Sequence, residues 1–308
     1  MRALITGSGG FVGKHLRAEL ERHGYEALGL DVVPGERTVT ADLLDEEQAF
    51  RAVRETLPEL VIHLAGQPDV GMSWKIPRKT VERNVVAAVN LMEAVRAVKP
   101  EARMVLVGSS DEYGQLGLAG GNVTEETPVD PQTPYAVSKL AQEQMARVYA
   151  RAYGMNICMT RSFNHGGAGQ REGFLIPDFA AGVARVEQGL ARAVKVGNLD
   201  SRRDFTHVKD VARAYRLIAE KGRPGELYNV GSGAAHSARE ILDKLIAMAR
   251  QEIPVEQDPA RLRPSDTPVI RCNHDKLTRD TGWTPRYGLE DILADALSDW
   301  RERIGTEA

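Results

Sequence analysis

The sequence predicts an α/β protein: a doubly wound parallel sheet joined to a smaller α/β substrate-binding domain. Three observations carry this. Apolar strand-like runs alternate with helical runs from residue 2 to about residue 162, a pattern that implies right-handed crossovers and a parallel sheet. The first run, Arg2 to Thr6, goes straight into Gly7-Ser8-Gly9-Gly10-Phe11-Val12-Gly13 and then into a helix carrying Leu16 and Leu20. An acid, Asp31, ends the second strand eighteen residues after Gly13.

Strand, glycine loop and helix together make a Rossmann-type dinucleotide-binding context. The glycines Gly7, Gly10 and Gly13 form a G-x-x-G-x-x-G variant. Without Cβ atoms the backbone can turn tightly and approach a pyrophosphate seated on the helix N-terminus. Gly7, Gly10, Phe11, Val12 and Gly13 are therefore candidate cofactor contacts. The second strand, Glu26 to Val33, reaches its tip around Asp31, where a carboxylate accepts hydrogen bonds from ribose hydroxyls and repels a 2′-phosphate. NAD(H) is favoured on that ground, and Arg37 in the next turn keeps NADP(H) open. Asp42 and Leu43 close a third short strand, placed to cap an adenine ring.

Asp45 is a suitable N-cap for a helix running to Leu57. Leu60-Val61-Ile62-His63 is an apolar strand, and Leu64, Ala65 and Gly66 after it are placed to lie against the cofactor. His63 reads as a packed strand residue, because no second metal ligand lies at a useful spacing, and no metal site is expected. Pro77 to Val98 reads as one long helix with Asn84 in its first half. Met104 to Gly108 is a buried strand that delivers Ser109-Ser110-Asp111-Glu112-Tyr113-Gly114 to a sheet end, where α/β proteins place their sites.

Pro134 precedes Tyr135 and Lys139, and the run through Met145, Val148 and Tyr149 has helical apolar spacing. Proline suits a first helical turn, and residues four apart share a helix face. An ammonium beside a phenol lowers a pKa that starts near ~10 and makes a proton donor and acceptor usable near neutral pH. Asn156 to Arg161 follows as a strand. Beyond it the alternation loosens. Phe163 to Gln170 reads as a loop, Ile176 to Gln188 as a helix, Ala193 to Gly197 as extended and Asp204 to Val211 as the opening of another helix. Leu227 to Val230 is a late strand, Ser237 to Arg250 a helix with Ser237 and Glu240 as its capping box, and Leu289 to Arg303 the final helix.

Composition sets the bounds. The 308 residues suffice for one large or two modest domains, and 42% hydrophobic with 27% charged residues is ordinary for a globular protein. A net charge of -3 without a long basic run argues against a nucleic-acid partner. Two cysteines, Cys158 and Cys272, cannot build a metal cluster of the usual spacing and suit a reduced, cytoplasmic setting. No apolar run approaches membrane-spanning length, and a strand that begins at Arg2 leaves no room for a signal peptide.

With these residues in view, the chain resembles an extended short-chain dehydrogenase/reductase of the nucleotide-sugar type over essentially its full length. The resemblance rests on Gly7 to Gly13, Ser109 to Gly114, Pro134 to Lys139, Arg161 to Gln170, Val196 to Thr206, Tyr228 to Gly233, Arg263 to Asp266 and Thr281 to Pro285. The first and third stretches define the superfamily. RSFNH, GNLDSRRDF and RPSD point to its GDP-sugar branch, and there to the reductases that turn GDP-4-keto-6-deoxy-D-mannose into GDP-D-rhamnose.

The resemblance implies a catalytic triad of Ser110, Tyr135 and Lys139. Ser110 would hydrogen-bond the oxyanion formed at C4, Tyr135 would protonate it, and Lys139 would hold the nicotinamide ribose and depress the pKa of Tyr135. It also implies a GDP-sugar partner. Arg203 and Arg263 would clamp the diphosphate, Asp266 would touch the nucleoside ribose, and Asn164 and Glu112 would face the substrate. An NAD(P)-binding domain of residues 1–162 plus about 203–231 is expected, with the sugar-binding domain built from about 163–202 plus 232–308 and the last helix packing on either. A homodimer through a bundle of the Pro77–Val98 and Tyr135 helices is a further expectation.

One departure lies in a loop, and rival readings remain beside the resemblance. The usual H-T-G-P-G-Q loop reads His165-Gly166-Gly167-Ala168-Gly169-Gln170, which removes two stiffening residues. Asp111 and Glu112 keep two acids where GDP-mannose 4,6-dehydratases carry them, yet Glu112 runs directly into Tyr113 without the intervening residue of that pattern. A dehydratase, a C4 epimerase and a non-catalytic NAD(P) sensor of the same fold are the rival readings. A GDP-L-fucose synthase would need a cysteine beside the catalytic serine, and neither Cys158 nor Cys272 is there.

Overall fold

The computed structural model describes residues 1–115, 122–259 and 269–307. The first half lays down β1 (Arg2–Thr6), α1 (Phe11–Arg22), β2 (Glu26–Asp31), β3 (Thr38–Thr40), α2 (Glu46–Thr56), β4 (Leu60–His63), α3 (Val70–Lys75), α4 (Pro77–Val81), α5 (Ala87–Val98), β5 (Arg103–Ser109), β6 (Asn122–Val123), α6 (Pro134–Tyr153) and β7 (Ile157–Ser162). The second half adds β8 (Asn164–Gly166), α7 (Leu175–Glu187), β9 (Val194–Val196), β10 (Arg202–His207), α8 (Val208–Lys221), β11 (Leu227–Val230), β12 (Ala235–Ser237), α9 (Ala238–Ala247), β13 (Val255–Gln257), β14 (Val269–Cys272), α10 (Asp275–Thr281) and α11 (Leu289–Glu307).

Among the described residues, seven strands form the large sheet in the order β11-β7-β5-β4-β1-β2-β3. Every pairing in it is parallel. The central strands β4 and β7 are buried at every position, as in a sheet covered on both faces. On one face α2, α5 and α6 pack Ala52, Leu91, Met92 and Tyr149 onto it; on the other, α1 and α8 do the same with Leu16, Leu20, Tyr215 and Ile218. The chain leaves β1 toward β2 on one side and toward β4 on the other. That reversal opens a crevice at the strands' C-terminal ends, where dinucleotides bind in such sheets.

A second sheet runs β12-β10-β14-β6, with β8 added on β10. A separate core of α7, α9 and α11 holds Phe179, Val183, Leu242, Leu245, Ile292 and Trp300. The connection between the two parts departs from the expected boundaries. Residues 202–207 are a strand of the small sheet, so the stretch from Asp204 that reads as a helix start is extended, and the helix begins only at Val208. Its cap is the buried His207, whose Nδ1 accepts from the Lys209 amide at 3.1 Å. The strand is held from within by Asp204. This fully buried carboxylate accepts the amides of Ser232, Gly233 and Cys272 at 2.8–3.0 Å, and the Ser232 hydroxyl at 2.6 Å. The first half also lends β6 to the small sheet, through β14.

Three further boundaries differ. The second and third strands stop at Asp31 and Thr40, which leaves Asp42 and Leu43 in the turn beyond. The helices α3 and α10 are not evident from periodicity because each is short. The helix expected over Pro77 to Val98 is interrupted by a π-helical turn at Glu82–Val86. That insertion turns Asn84 fully inward, where it finds polar partners that an unbroken helix would deny it.

Candidate active site

At the crevice the backbone leaves β1 through Gly7, whose φ of +69° suits glycine. A Cβ there would lie 2.9 Å from the Ala65 nitrogen, and one at Gly13 would lie 2.6 Å from the Gly7 oxygen. Both positions are thus closed to any side chain. The helix α1 begins with Gly10 in the N-cap position and no side-chain cap. Its first amides, at Phe11, Val12 and Gly13, therefore face outward as an anion site at the positive end of a 12-residue helix. Asp31 stands across the loop. Its Oδ2 accepts the Gly9 amide at 3.0 Å and its Oδ1 the Val33 amide at 3.2 Å. From β4, Leu64 and Ala65 are tied to Thr6, through the Leu64 amide to its carbonyl at 3.2 Å and the Ala65 amide to its hydroxyl at 3.1 Å.

This cradle fits a dinucleotide: a tight glycine turn, an uncapped helix end for the pyrophosphate and an acid for the ribose. Leu43 and Asp42 lie in the turn after the third strand. The Leu43 side chain is buried in the core below, and its carbonyl accepts from Asn90 at 2.9 Å. Asp42 accepts the Leu44 amide at 2.9 Å and so ties up the turn.

The helix α6 starts as its sequence indicates. Thr133 caps it by accepting the Ala136 amide at 3.1 Å, Pro134 takes the first position, and Gly154 ends it in the left-handed conformation. Tyr135 and Lys139 share its inner face and both are buried. The Ser109 hydroxyl stands beside the Tyr135 phenol and draws its pKa down. Ser109 is the last residue of β5 and N-cap of the 3-10 turn Ser110–Tyr113, and its Oγ also accepts the Asp111 amide at 3.2 Å. Ser110, the expected member of the triad, is one position further on and opens the turn.

The Tyr135 phenol is shifted up, not down, and Lys139 is not among the groups that shift it. Burial drives the phenol's pKa well up, the Asp111 carboxylate adds to this, and the Ser109 hydroxyl opposes it only in part. Lys139 points under the sheet edge, donating to the Val107 carbonyl at 2.8 Å and to Gln142 Oε1 at 3.0 Å. Its own pKa falls to about 8, because burial disfavours the ammonium more than the Glu112 carboxylate supports it. Tyr135 is consequently a neutral phenol, a proton donor rather than a phenolate.

Glu112 does not face a substrate. It is fully buried, its Oε1 closing a capping box with the Ser109 amide at 2.8 Å and its Oε2 lying 3.2 Å from Arg161 Nε. A buried carboxylate needs such partners, and they hold it in the interior. Asn164 is exposed on β8 and registers with Phe205 on β10. Arg203 lies two residues before Phe205, half-buried, with Nη1 donating to the Arg202 carbonyl at 2.8 Å. The strand pair thus brings Asn164 and Arg203 into one neighbourhood. Arg263 and Asp266 lie outside the described residues.

Sequence reasoning passed over Asn84. From the π-helical turn its Oδ1 accepts the Gln67 amide at 2.7 Å, and its Nδ2 donates to the Gln67 carbonyl at 3.2 Å and Ser138 Oγ at 2.9 Å. Ser138 in turn donates to the Tyr135 carbonyl at 2.7 Å. One buried amide so joins the β4 tip to the first turn of α6. His63 is the packed residue expected of it, bonded to Thr6 Oγ1 at 2.8 Å, with burial lowering its pKa to about 3.

The loop Gly166–Gln170 is not left slack by its glycines. His15 meets the Ala168 carbonyl at 2.8 Å, the Gly169 amide donates to Asp299 at 2.9 Å, and His165 stacks on Phe11. The loop thereby ties the start of α1 to α11. Among the described residues no group of His, Cys, Asp and Glu is arranged to hold a metal, and no helix is long and apolar enough to cross a membrane.

Comparison with known proteins agrees with this geometry. The family model for GDP-mannose 4,6 dehydratase matches residues 4–296. A GDP-6-deoxy-D-mannose reductase of Pseudomonas aeruginosa is 37% identical over 307 residues, 99% of each chain. Among solved structures, that of RMD from Pseudomonas aeruginosa complexed with NADPH matches with a TM-score of 0.89 at 36% identity, covering 98% of this chain and 99% of the other. The UDP-glucose 4-epimerase of Thermus thermophilus, in complex with NAD, matches at 0.87 and 31% identity, covering 98% and 99%. The chain therefore belongs to the GDP-mannose 4,6 dehydratase family, within the extended short-chain dehydrogenases/reductases.

Proposed function

We propose that the protein reduces the C4 keto group of GDP-4-keto-6-deoxy-D-mannose to give GDP-D-rhamnose. The observation that carries this reading is the neutral, buried Tyr135 phenol beside Ser109, set at the C-terminal edge of a parallel sheet whose glycine loop fits a dinucleotide. Likeness to the Pseudomonas aeruginosa reductase over 99% of both chains supports the choice of substrate. NAD(P)H, when bound, supplies the hydride. Gly7 to Gly13 and the start of α1 hold its pyrophosphate, and Asp31 holds the adenosine ribose and favours NADH over NADPH.

At the sugar, Tyr135 gives its proton to the C4 oxygen, and Ser109 donates a hydrogen bond to that oxygen as its charge grows. Lys139 is placed one turn behind Tyr135 to hold the nicotinamide ribose. Arg203 supplies a guanidinium for the diphosphate and Asn164 an amide for the sugar or diphosphate, joined by Arg263 and Asp266. In this reading β1–β5, β7, β11 and their helices form the cofactor domain, and the small sheet with α7, α9 and α11 forms the sugar domain. Val81 and Val86 before α5 and Val137 and Val148 on α6 are exposed apolar residues, and we propose that a second copy of the chain covers them.

One observation favours a second reading. The Asp111 carboxylate acts on Tyr135 strongly enough to raise its pKa, and an acid beside the tyrosine is what water elimination from GDP-mannose would require. The two separate in one assay. Purified protein given GDP-4-keto-6-deoxy-D-mannose should consume added NADH, with GDP-D-rhamnose identified by NMR. Turnover of GDP-mannose with no added reductant would instead establish the dehydratase.

A further inference from the structure

Tyr135, Lys139 and Glu143 follow one another at intervals of four along α6 and share its inner stripe. The first two face the proposed reaction. Glu143 lies deeper, 3% exposed, with no part in the chemistry described so far. Its Oε2 is 2.9 Å and its Oε1 3.0 Å from the Arg161 guanidinium, a two-point pair, and Oε1 also takes Arg147 Nε at 3.0 Å. Glu112 reaches the same guanidinium from the 3-10 turn, with its Oε2 3.2 Å from Arg161 Nε, so that an oxygen of each acid lies on the one nitrogen. Both acids and Arg161 are buried, while the Arg161 guanidinium is capped by the Tyr113 ring at 4.7 Å.

Two buried anions that converge on one guanidinium nitrogen repel, and a proton held between their oxygens removes that repulsion. The groups facing them come from three sides: Asp111 and Tyr113 from the turn, Tyr135, Lys139 and Arg147 from α6, and Arg161 from β7. Arg147 is the partly exposed member and already belongs to Glu143.

We propose that Glu112 is held as the neutral acid and donates its proton to Glu143, forming a clamp that seats the turn bearing Ser109 against the helix bearing Tyr135. Glu112 accepts the Ser109 amide with one oxygen and engages Glu143 and Arg161 with the other, so the proton couples the two hydroxyl groups of the site. Burial and the Glu143 charge both push the Glu112 pKa well up, in the direction the clamp needs. An acid whose folded pKa is raised adds stability that is complete below its unfolded pKa and is lost as pH climbs through the folded value. Alkali should therefore loosen the Ser109–Tyr135 contact before it ionises Tyr135. Both glutamates are positioning residues here, and the catalytic meaning of the clamp rests on the reductase reading above.

The proton itself can be read without any substrate. Carbon-13 NMR of the glutamate carboxyls at pH 7 should show one protonated carboxyl, and Glu112→Gln should abolish that signal. In melting curves at pH 7, Glu112→Gln, which keeps the neutral charge and supplies an N–H for Glu143, should stay near the parent Tm, while Glu112→Ala falls well below it. In turnover, Glu112→Ala should lose roughly tenfold in kcat with KM little changed; Glu112→Gln should recover most of it and lack the parent's alkaline decline. Absence of a protonated carboxyl at pH 7, or a Glu112→Gln protein as unstable as Glu112→Ala, would overturn the clamp even with the reductase activity intact. Loss of that activity with the protonated carboxyl still present would overturn the functional reading alone.

Discussion

Ser109 sits beside Tyr135, and its hydroxyl favours the phenolate that burial and the Asp111 charge oppose. Ser109 is the last residue of β5 and the N-cap of the 3-10 turn that follows, and Ser110 already belongs to that turn. Ser109→Ala should lower kcat by about 10²–10³, the usual cost of one oxyanion donor. Ser110→Ala should stay within a few-fold of the parent. Initial rates with saturating NADH compare the two, and equal losses would argue against the Ser109 assignment.

Tyr135 stays protonated across the neutral range because burial and Asp111 raise its pKa. Its donor form should persist until strongly alkaline pH. Tyr135→Phe should cut kcat by about 10²–10⁴, the span of a positioned general acid, with dinucleotide affinity nearly intact. Fluorescence titration with NADH alongside turnover checks both halves.

Lys139 should lose its proton as pH rises through about 8, a consequence of burial. Its folded pKa lies below the unfolded one. The stability linked to it is thus present above about 10 and is lost as pH falls through about 8. Lys139→Met should remove this dependence from urea melts taken between pH 7 and pH 10, and should weaken cofactor use at every pH. An unchanged slope of stability against pH would count against the buried ammonium.

Asp31 holds the Gly9 amide with one carboxylate oxygen and the Val33 amide with the other. Replacing it with alanine removes a negative charge from the place where a 2′-phosphate would approach. The ratio of kcat/KM for NADH to that for NADPH should fall by about tenfold, equal to roughly 1.4 kcal/mol of discrimination. A ratio that does not move would mean that another group selects the cofactor.

Asn84 satisfies both backbone groups of Gln67 and bonds Ser138, which itself holds the Tyr135 carbonyl. Asn84→Ala strands those buried groups at about 1–3 kcal/mol. The melting temperature should drop by several degrees, and kcat should fall more than KM rises, since the first turn of α6 loses its support.

Much of the fold is legible in local pattern. Apolar runs of four to six residues separated by amphipathic helices specify parallel strands with helices on both faces, and Gly7 to Gly13 mark the cofactor end of the sheet. Thr133-Pro134 and Ser237 with Glu240 mark helix starts, because caps act within four residues. Such features are local, so the sequence alone determines them: the Rossmann-type sheet, the helix that pairs Tyr135 with Lys139, and the acid at the tip of β2.

What the sequence could not settle depends on groups distant along the chain. Asp204 is held by residues 28 to 68 positions away, which makes a strand of what reads as a helix start. Asn84 meets Ser138 across 54 positions, which puts a π-helical turn into an otherwise regular helix. Glu112 lies beside a proposed oxyanion donor in sequence yet belongs to the interior, because Arg161 and Glu143 converge on it from β7 and α6. Tyr135 and Lys139 are paired by helical spacing, but burial, which no local pattern reports, is the largest cause that raises the phenol and lowers the ammonium. The chain thus names its proton donor by spacing, and tertiary packing decides the protonation state in which that donor waits.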